Sequence, residues 1–212
     1  MSGLAGAGPA LGVLFALVLA TPVAAFELDA EEREALAEGK MLVQRREPTG
    51  GKGVSFRVLR VLASPVERVW PVVRDCGLFH EFMPRVRESE SQPGSTEEVT
   101  LCRVVISSAP IGELRSTVRS QVEPVGEGWR RHWQLVEGDF GHSRGAWTVV
   151  PWRGGGSLLV YEVDASPKVP VPASVLALAQ RLQLPAMFDA IDRRAALASS
   201  LAPPSADAAH VD

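Results

Sequence analysis

Residues 111–123 read IGELRSTVRSQVE, and their period decides the class of fold. Glu113, Arg115, Thr117, Arg119, Gln121 and Glu123 alternate with Leu114, Ser116, Val118, Ser120 and Val122. Side chains along a strand point to opposite faces in turn, so this segment is a strand with one wet face and one apolar face. An antiparallel sheet covering a core on one side carries that pattern, whereas parallel sheets are buried on both. On either side, residues 85–91, 97–107, 129–136, 145–152 and 157–165 are predicted strands. Between them lie turn residues: Gln92-Pro93-Gly94-Ser95, Ala109-Pro110, Gly126-Glu127-Gly128, residues 138–141 and Gly154-Gly155-Gly156. Joints this short make successive hairpins.

Upstream the period is helical. Ser64 stands where it can cap a helix over 65–74, with Pro65 in the first turn and Glu67 three residues after the cap. Val66, Val69, Trp70 and Val73 fall at i, i+3, i+4 and i+7, one apolar stripe. A second helical piece over 78–83 repeats the spacing with Leu78, Phe79, Phe82 and Met83, and Pro84 stops it. The β-branched run at 54–63 is a strand, entered from the turn cluster PTGGKG at 48–53. Before it, 29–38 (DAEEREALAE) is a short helix capped by Asp29 and ended by Gly39, and 41–46 is a strand. After Pro172 comes one long Ala- and Leu-rich helix, 173–198, with a break or kink expected at Pro185. Its inward residues are predicted to be Val175, Leu178 and Leu182, then Met187 and Ile191. The polar, Pro-containing tail 199–212 is expected to be disordered.

Strands and helices segregated in this order indicate an α+β fold, in which a curved antiparallel sheet wraps around the long C-terminal helix. Such a sheet closes only partly, and a cavity between helix and sheet follows. The chain has 212 residues, 46% hydrophobic and 22% charged, which excludes wholesale disorder. Lys+Arg 22 against Asp+Glu 25 leaves no basic footprint, so nucleic acid is not an expected partner.

The N-terminus is a different material. Nothing is charged from Met1 to Phe26, and 11–20 (LGVLFALVLA) is apolar between Pro9 and Pro22. A run of about 10 apolar residues suits a signal-peptide core, while a membrane span needs about 20. Val23-Ala24-Ala25 supplies small residues for cleavage after Ala25. Export to the periplasm or medium is the expectation. Because Met1–Pro9 lacks Lys and Arg, an uncleaved N-terminal anchor is the alternative. Cys76 and Cys102 can pair in an oxidising compartment or stand as two small buried hydrophobes, and the residues favour the second.

Catalytic motifs are absent. His80, His132, His142 and His210 include no pair at i, i+3 or i+4, and no HExxH, GxSxG, CxxC, Walker or GxGxxG pattern occurs. His80-Glu81 near Asp75 could form an acid/base cluster, but a solvated polar face opposite Phe79 and Phe82 is the favoured reading. His132 and His142 lie on neighbouring strands without a third ligand, which is too little for a metal. The aromatics carry more. Trp129 and Trp133 share a face of one strand, Trp147 and Trp152 lie on the next, and Tyr161 follows. Core packing accounts for most of them. The remainder is an aromatic-lined cavity, with Arg103 and Tyr161 as candidate internal polar groups.

Val66-Glu67-Arg68-Val69-Trp70, then Asp75, Phe79 and Phe82-Met83-Pro84, resembles the start of the SRPBCC (START/polyketide cyclase/Bet v 1-like) superfamily. Trp133, Glu137-Gly138-Asp139-Phe140, Gly145, Trp147, Pro151 and Tyr161 resemble its central hairpins, and Val171-Pro172 with Leu184-Pro185 its C-terminal helix. The similarity is to the coenzyme Q-binding/polyketide cyclase branch and runs over 53–197. It implies a helix-grip fold around a cavity for a lipid, isoprenoid quinone, polyketide or similar ligand. It implies no particular catalysis, since the superfamily contains carriers, sensors, cyclases and hydroxylase subunits.

The expected organisation is therefore a signal peptide (1–25), an extension with no assigned role (26–52), the START/polyketide cyclase-like domain (53–198) and the tail (199–212). The expected function is an exported, non-catalytic binder of a hydrophobic small molecule, with no cofactor or metal. Its expected partners are that ligand and, transiently, a membrane. The expected cavity residues are Trp70, Phe79, Phe82, Met83, Arg103, Trp133, Trp147, Tyr161, Leu178, Leu182 and Met187. One alternative is a cyclase or dehydratase in which an interior Arg, His or Tyr positions an enolate. The other is a protein-interaction module, which a contiguous exposed apolar patch would mark.

Overall fold

A computed structural model of the chain describes residues 28–94, 96–108, 112–171 and 173–197, with the backbone alone at 108 and 173–181. The predicted signal peptide and tail, and the side chains of Val175 and Leu178, lie outside the described residues. The chain runs α1 (Ala30–Ala37), β1 (Leu42–Arg46), β2 (Val54–Leu62), α2 (Val66–Arg74), α3 (Phe79–Phe82) and β3 (Val86–Pro93). It continues with β4 (Val99–Ser108), β5 (Gly112–Val125), β6 (Gly128–Gly138), β7 (Phe140–Pro151), β8 (Ser157–Pro167) and α4 (Ala173–Leu197). The strands form one antiparallel sheet in the order β1-β2-β8-β7-β6-β5-β4-β3. This is the helix-grip arrangement: a hairpin meander from β3 to β8, closed on β2, with α2, α3 and α4 on one face.

Alternation along the strands makes two cores. The inner face supplies Phe56, Val58, Val118, Trp147, Val149 and Leu159, which pack with Val69, Val73, Leu184, Phe188 and Ile191 of the helices. On the outer face Leu59, Leu158 and Val160, with Val150 and Trp152, pack against Leu28 and Leu36. The N-terminal extension therefore has a role that its sequence did not disclose: β1 pairs with β2 at the sheet edge, and α1 covers apolar outer surface. The Asp29 carboxylate caps α1 by accepting from the Glu32 amide, and the Glu32 carboxylate accepts from the Asp29 amide in return.

Four local expectations need correction. Ser64 does not cap α2; the cap position is Pro65, and the Ser64 carbonyl instead accepts from the Ser157 hydroxyl at 2.8 Å. The inward stripe of α4 is Leu184, Phe188, Ile191 and Ala195, whereas Leu182 is 60% exposed. Two residues are about 200° of helix, so Leu182 and Leu184 cannot share a face. Of the break or kink expected at Pro185, the break does not occur, since helix α4 continues through it as one element. Finally, Cys76 and Cys102 form a disulfide, with Cα atoms 6.2 Å apart. It ties the turn between α2 and α3 to β4, and both cysteines are buried.

Strand β7 also begins earlier than residue 145, because the turn before it is tight. The Asp139 amide donates to the Arg115 carbonyl at 2.8 Å, and its carboxylate accepts the Arg115 amide at 2.7 Å. Gly138 has φ +133°, and a Cβ there would meet the Arg115 carbonyl oxygen at 2.3 Å. Only glycine fits that turn.

Candidate functional site

A cavity of about 270 Å3 lies between the inner face of the sheet and the helices. Strand parity decides what enters it. Val58 stands opposite Tyr161, Tyr161 opposite Trp147, and Gly145 opposite Trp133, so these side chains share the inner face. Tyr161 is the centre of the aromatic wall, stacked on Trp147 at 4.2 Å and on Trp133 at 5.9 Å, with Phe56 edge-on at 6.0 Å. Gly145 makes room for this: a Cβ there would come within 2.4 Å of the Trp133 ring. Phe79 and Met83 close one side, Met187 of α4 another, and Cys102 and Val104 of β4 line the far wall.

Of the predicted cavity residues, the structure brings Phe79, Met83, Trp133, Trp147, Tyr161 and Met187 to the wall. Others it places elsewhere. Trp70 is buried in the core, stacked on Trp129 at 5.9 Å. Phe82 backs Phe79 edge-on at 6.0 Å, beneath the Arg194 guanidinium. Leu182 is exposed, and the Leu178 side chain is outside the described residues. Arg103 is a correction. Cys102 and Val104 line the cavity, so Arg103 between them points outward, into an outer-face groove with Arg115, Thr117 and Glu137.

The interior cation is Arg131, which is 3% exposed and lines the cavity. The sequence held a signal for it, because Arg131 is two residues from both Trp129 and Trp133 and therefore on their face. Its Nη2 donates to Ser120 Oγ at 2.7 Å, its guanidinium lies 5.9 Å over the Phe79 ring, and its Nε has no hydrogen-bond partner among the described residues. Burial pushes its pKa down to about 10, partly opposed by Asp75, so it remains charged near neutrality. The Tyr161 phenol is pushed up to about 12 by burial, so it faces the cavity as a neutral hydroxyl. Ser116 and Ser143 are the other hydroxyls among the described lining residues.

Neither histidine reading gains support. His80 Nδ1 lies 2.9 Å from Ser89 Oγ, Glu81 pairs with Arg194 at 2.7 Å, and the Asp75 carboxylate accepts from the Gly77 amide, so the three do not converge. His132 and His142 have separate carboxylate neighbours, Glu123 at 3.6 Å and Asp164 at 2.9 Å. Asp164 anchors an outer-face cluster with Thr49, His142 and Arg144. Burial pushes its carboxyl up, but hydrogen bonds from those three side chains outweigh burial and hold it well below the usual carboxylate range.

A family model described as polyketide cyclase/dehydrase and lipid transport matches residues 62–192. No curated protein matches the chain. Among solved structures it is similar to a STAR-related lipid transfer protein from Xanthomonas axonopodis, at 23% identity and TM-score 0.61, covering 74% of this chain and 93% of that one. It is also similar to human StAR-related lipid transfer protein 5, at 15% identity and TM-score 0.66, covering 80% and 97%. A third is the Zhui aromatase/cyclase from Streptomyces sp. R1128, at 15% identity and TM-score 0.57, covering 74% and 94%. Identities this low speak for the fold alone. With most of the domain inside the family match, and a cavity between sheet and helix, the chain belongs to the polyketide cyclase/dehydrase and lipid transport family.

Proposed function

We propose that the protein is an exported, non-catalytic carrier of a hydrophobic small molecule held between the sheet and α4. The observation that carries this reading is the cavity wall: aromatic and aliphatic side chains with a few polar groups, and no carboxylate or imidazole among the described lining residues. Such a surface supplies affinity by excluding water, at about 25 cal/mol per Å2 of apolar area before binding costs are subtracted. The lipid-transfer proteins and the aromatase/cyclase that share the fold are consistent with a ligand of this class. The Cys76–Cys102 disulfide supports an oxidising compartment, in keeping with the predicted signal peptide.

A cyclase reading is favoured by one observation: the Arg131 guanidinium and Tyr161 hydroxyl both face the cavity, where they could polarise a carbonyl. Ring closure also needs a group to take a proton from carbon, and the described wall offers no carboxylate or imidazole for it. The carrier reading asks for nothing more than the wall provides.

Native mass spectrometry of the mature domain from its own host, with organic extraction, tests the proposal. An apolar molecule co-purifying at about one per chain supports it. A chain that stays empty across growth conditions, and takes up no apolar ligand when offered one, overturns it.

A further inference from the structure

We infer that the ligand is a small amphiphile whose head is a single carboxylate, received by Arg131 inside the cavity; this rests on the carrier reading above. Arg46, Arg60, Arg115, Arg130, Arg144 and Arg194 each pair with a carboxylate. Arg131, far more deeply buried, has no carboxylate oxygen within ion-pair distance among the described residues. Its one hydrogen bond to a described residue goes to the Ser120 hydroxyl. Its Nε is buried and has no hydrogen-bond partner among the described residues. Asp75 acts on it from beyond ion-pair distance, and an enclosed cation without a contact ion pair is costly, so proteins normally pair it or shed it. The missing contact partner is an anion, and the open volume that Arg131 lines is the ligand cavity.

Charge and space narrow the class. Among the described lining residues Arg131 is the one Lys or Arg, so that wall balances one negative charge. A phosphate monoester carries about −1.5 to −2 at neutral pH and would leave charge unmatched. A carboxylate carries one, and its two oxygens fit the planar guanidinium fork. The cavity volume of about 270 Å3 matches a small single-chain molecule. The body of the ligand lies against the uncharged side chains of Trp133, Trp147, Tyr161 and Met187.

The test is competition by a matched pair, decanoate and 1-decanol, for the neutral fluorophore N-phenyl-1-naphthylamine bound to the mature protein at pH 7.5. Direct tryptophan titration with each serves as the check. Decanoate is expected to bind at least about tenfold more tightly than decanol, the size of one charge-assisted hydrogen-bond pair. In Arg131→Met that preference should vanish while decanol affinity is kept, and in Arg131→Lys part of it should survive. The melting temperature of ligand-free Arg131→Met should be unchanged or higher, since a buried charge without a contact ion pair has been removed; a purely structural arginine would lower it. Equal binding of acid and alcohol by the wild type overturns the carboxylate assignment and leaves the carrier reading standing, and needs no variant to fold. Failure of fluorophore, acid and alcohol alike overturns both.

Discussion

Removing the Cys76–Cys102 bridge perturbs both the fold and the cavity. The bonded cysteines are 26 residues apart in sequence. Closing a loop of that length in the unfolded chain is worth about 3.5 kcal/mol by the chain-entropy estimate. For a domain of this size each kcal/mol moves Tm by about 2–4 °C, so reduction should lower Tm by about 7–14 °C. The bridge also holds the turn that leads into α3, which carries Phe79, while Cys102 itself lines the cavity. Apolar-ligand affinity should therefore fall under conditions where the reduced protein is still folded. Calorimetry with and without dithiothreitol, alongside Cys76→Ala/Cys102→Ala, measures the first effect, and a fluorophore titration measures the second. Thiol counting on denatured, unreduced protein should find no free cysteine. Two free thiols in protein isolated from its own host, or a Tm change below about 3 °C, would refute the reasoning.

Three further outcomes follow from particular side chains. Met187→Arg, which puts a charge on the cavity wall, should weaken apolar-ligand binding at least about tenfold, whereas Leu182→Arg on the exposed side of α4 should leave binding and stability within about 0.5 kcal/mol of wild type. Leu36→Ala should cost about 2–5 kcal/mol in urea denaturation, because Leu36 is 1% exposed against the outer core; a cost near zero would detach α1 from the fold. Asp164→Asn should cost about 2–3 kcal/mol at pH 7, the scale of charge-assisted hydrogen bonds. The folded carboxyl of Asp164 is held below its unfolded value, so its stabilisation is full above the ordinary carboxylate pKa of about 3.9. It is lost as pH falls from there through the lower folded value, and melting curves of both proteins from pH 7 to pH 2.5 should converge.

What could be read from the chain was whatever periodicity encodes. The alternation from Glu113 to Glu123 and the stripe Val66, Val69, Trp70 and Val73 report which side of an element is dry, and both faces came out as read. The same rule reached part of the cavity, Trp133, Trp147 and Tyr161, whereas Arg131 was missed although it shares the strand face of Trp129 and Trp133. Arg103 was misplaced because parity was not carried from Cys102 to its neighbour. Other features depend on contacts far apart in sequence. No local pattern tells α1 that apolar residues of β2 and β8 await it, and no spacing brings Cys76 beside Cys102. On α4, where apolar residues occur almost all round, composition alone cannot choose between Leu182 and Leu184. Packing against the inner core makes that choice.

The central claim, that the inner cavity is the ligand site, has a direct reporter in the tryptophans. Trp133 and Trp147 line the cavity, whereas Trp152 packs in the outer core on the opposite face of the sheet. A single-chain carboxylic acid brominated on its alkyl chain quenches indole only at contact. Titrated against one variant retaining only Trp133 and Trp147, and another retaining only Trp152, with the other tryptophans changed to Phe, it should quench the first saturably and leave the second unaffected. Quenching of the Trp152 variant, or no quenching of the cavity pair while the acid binds, would contradict the account.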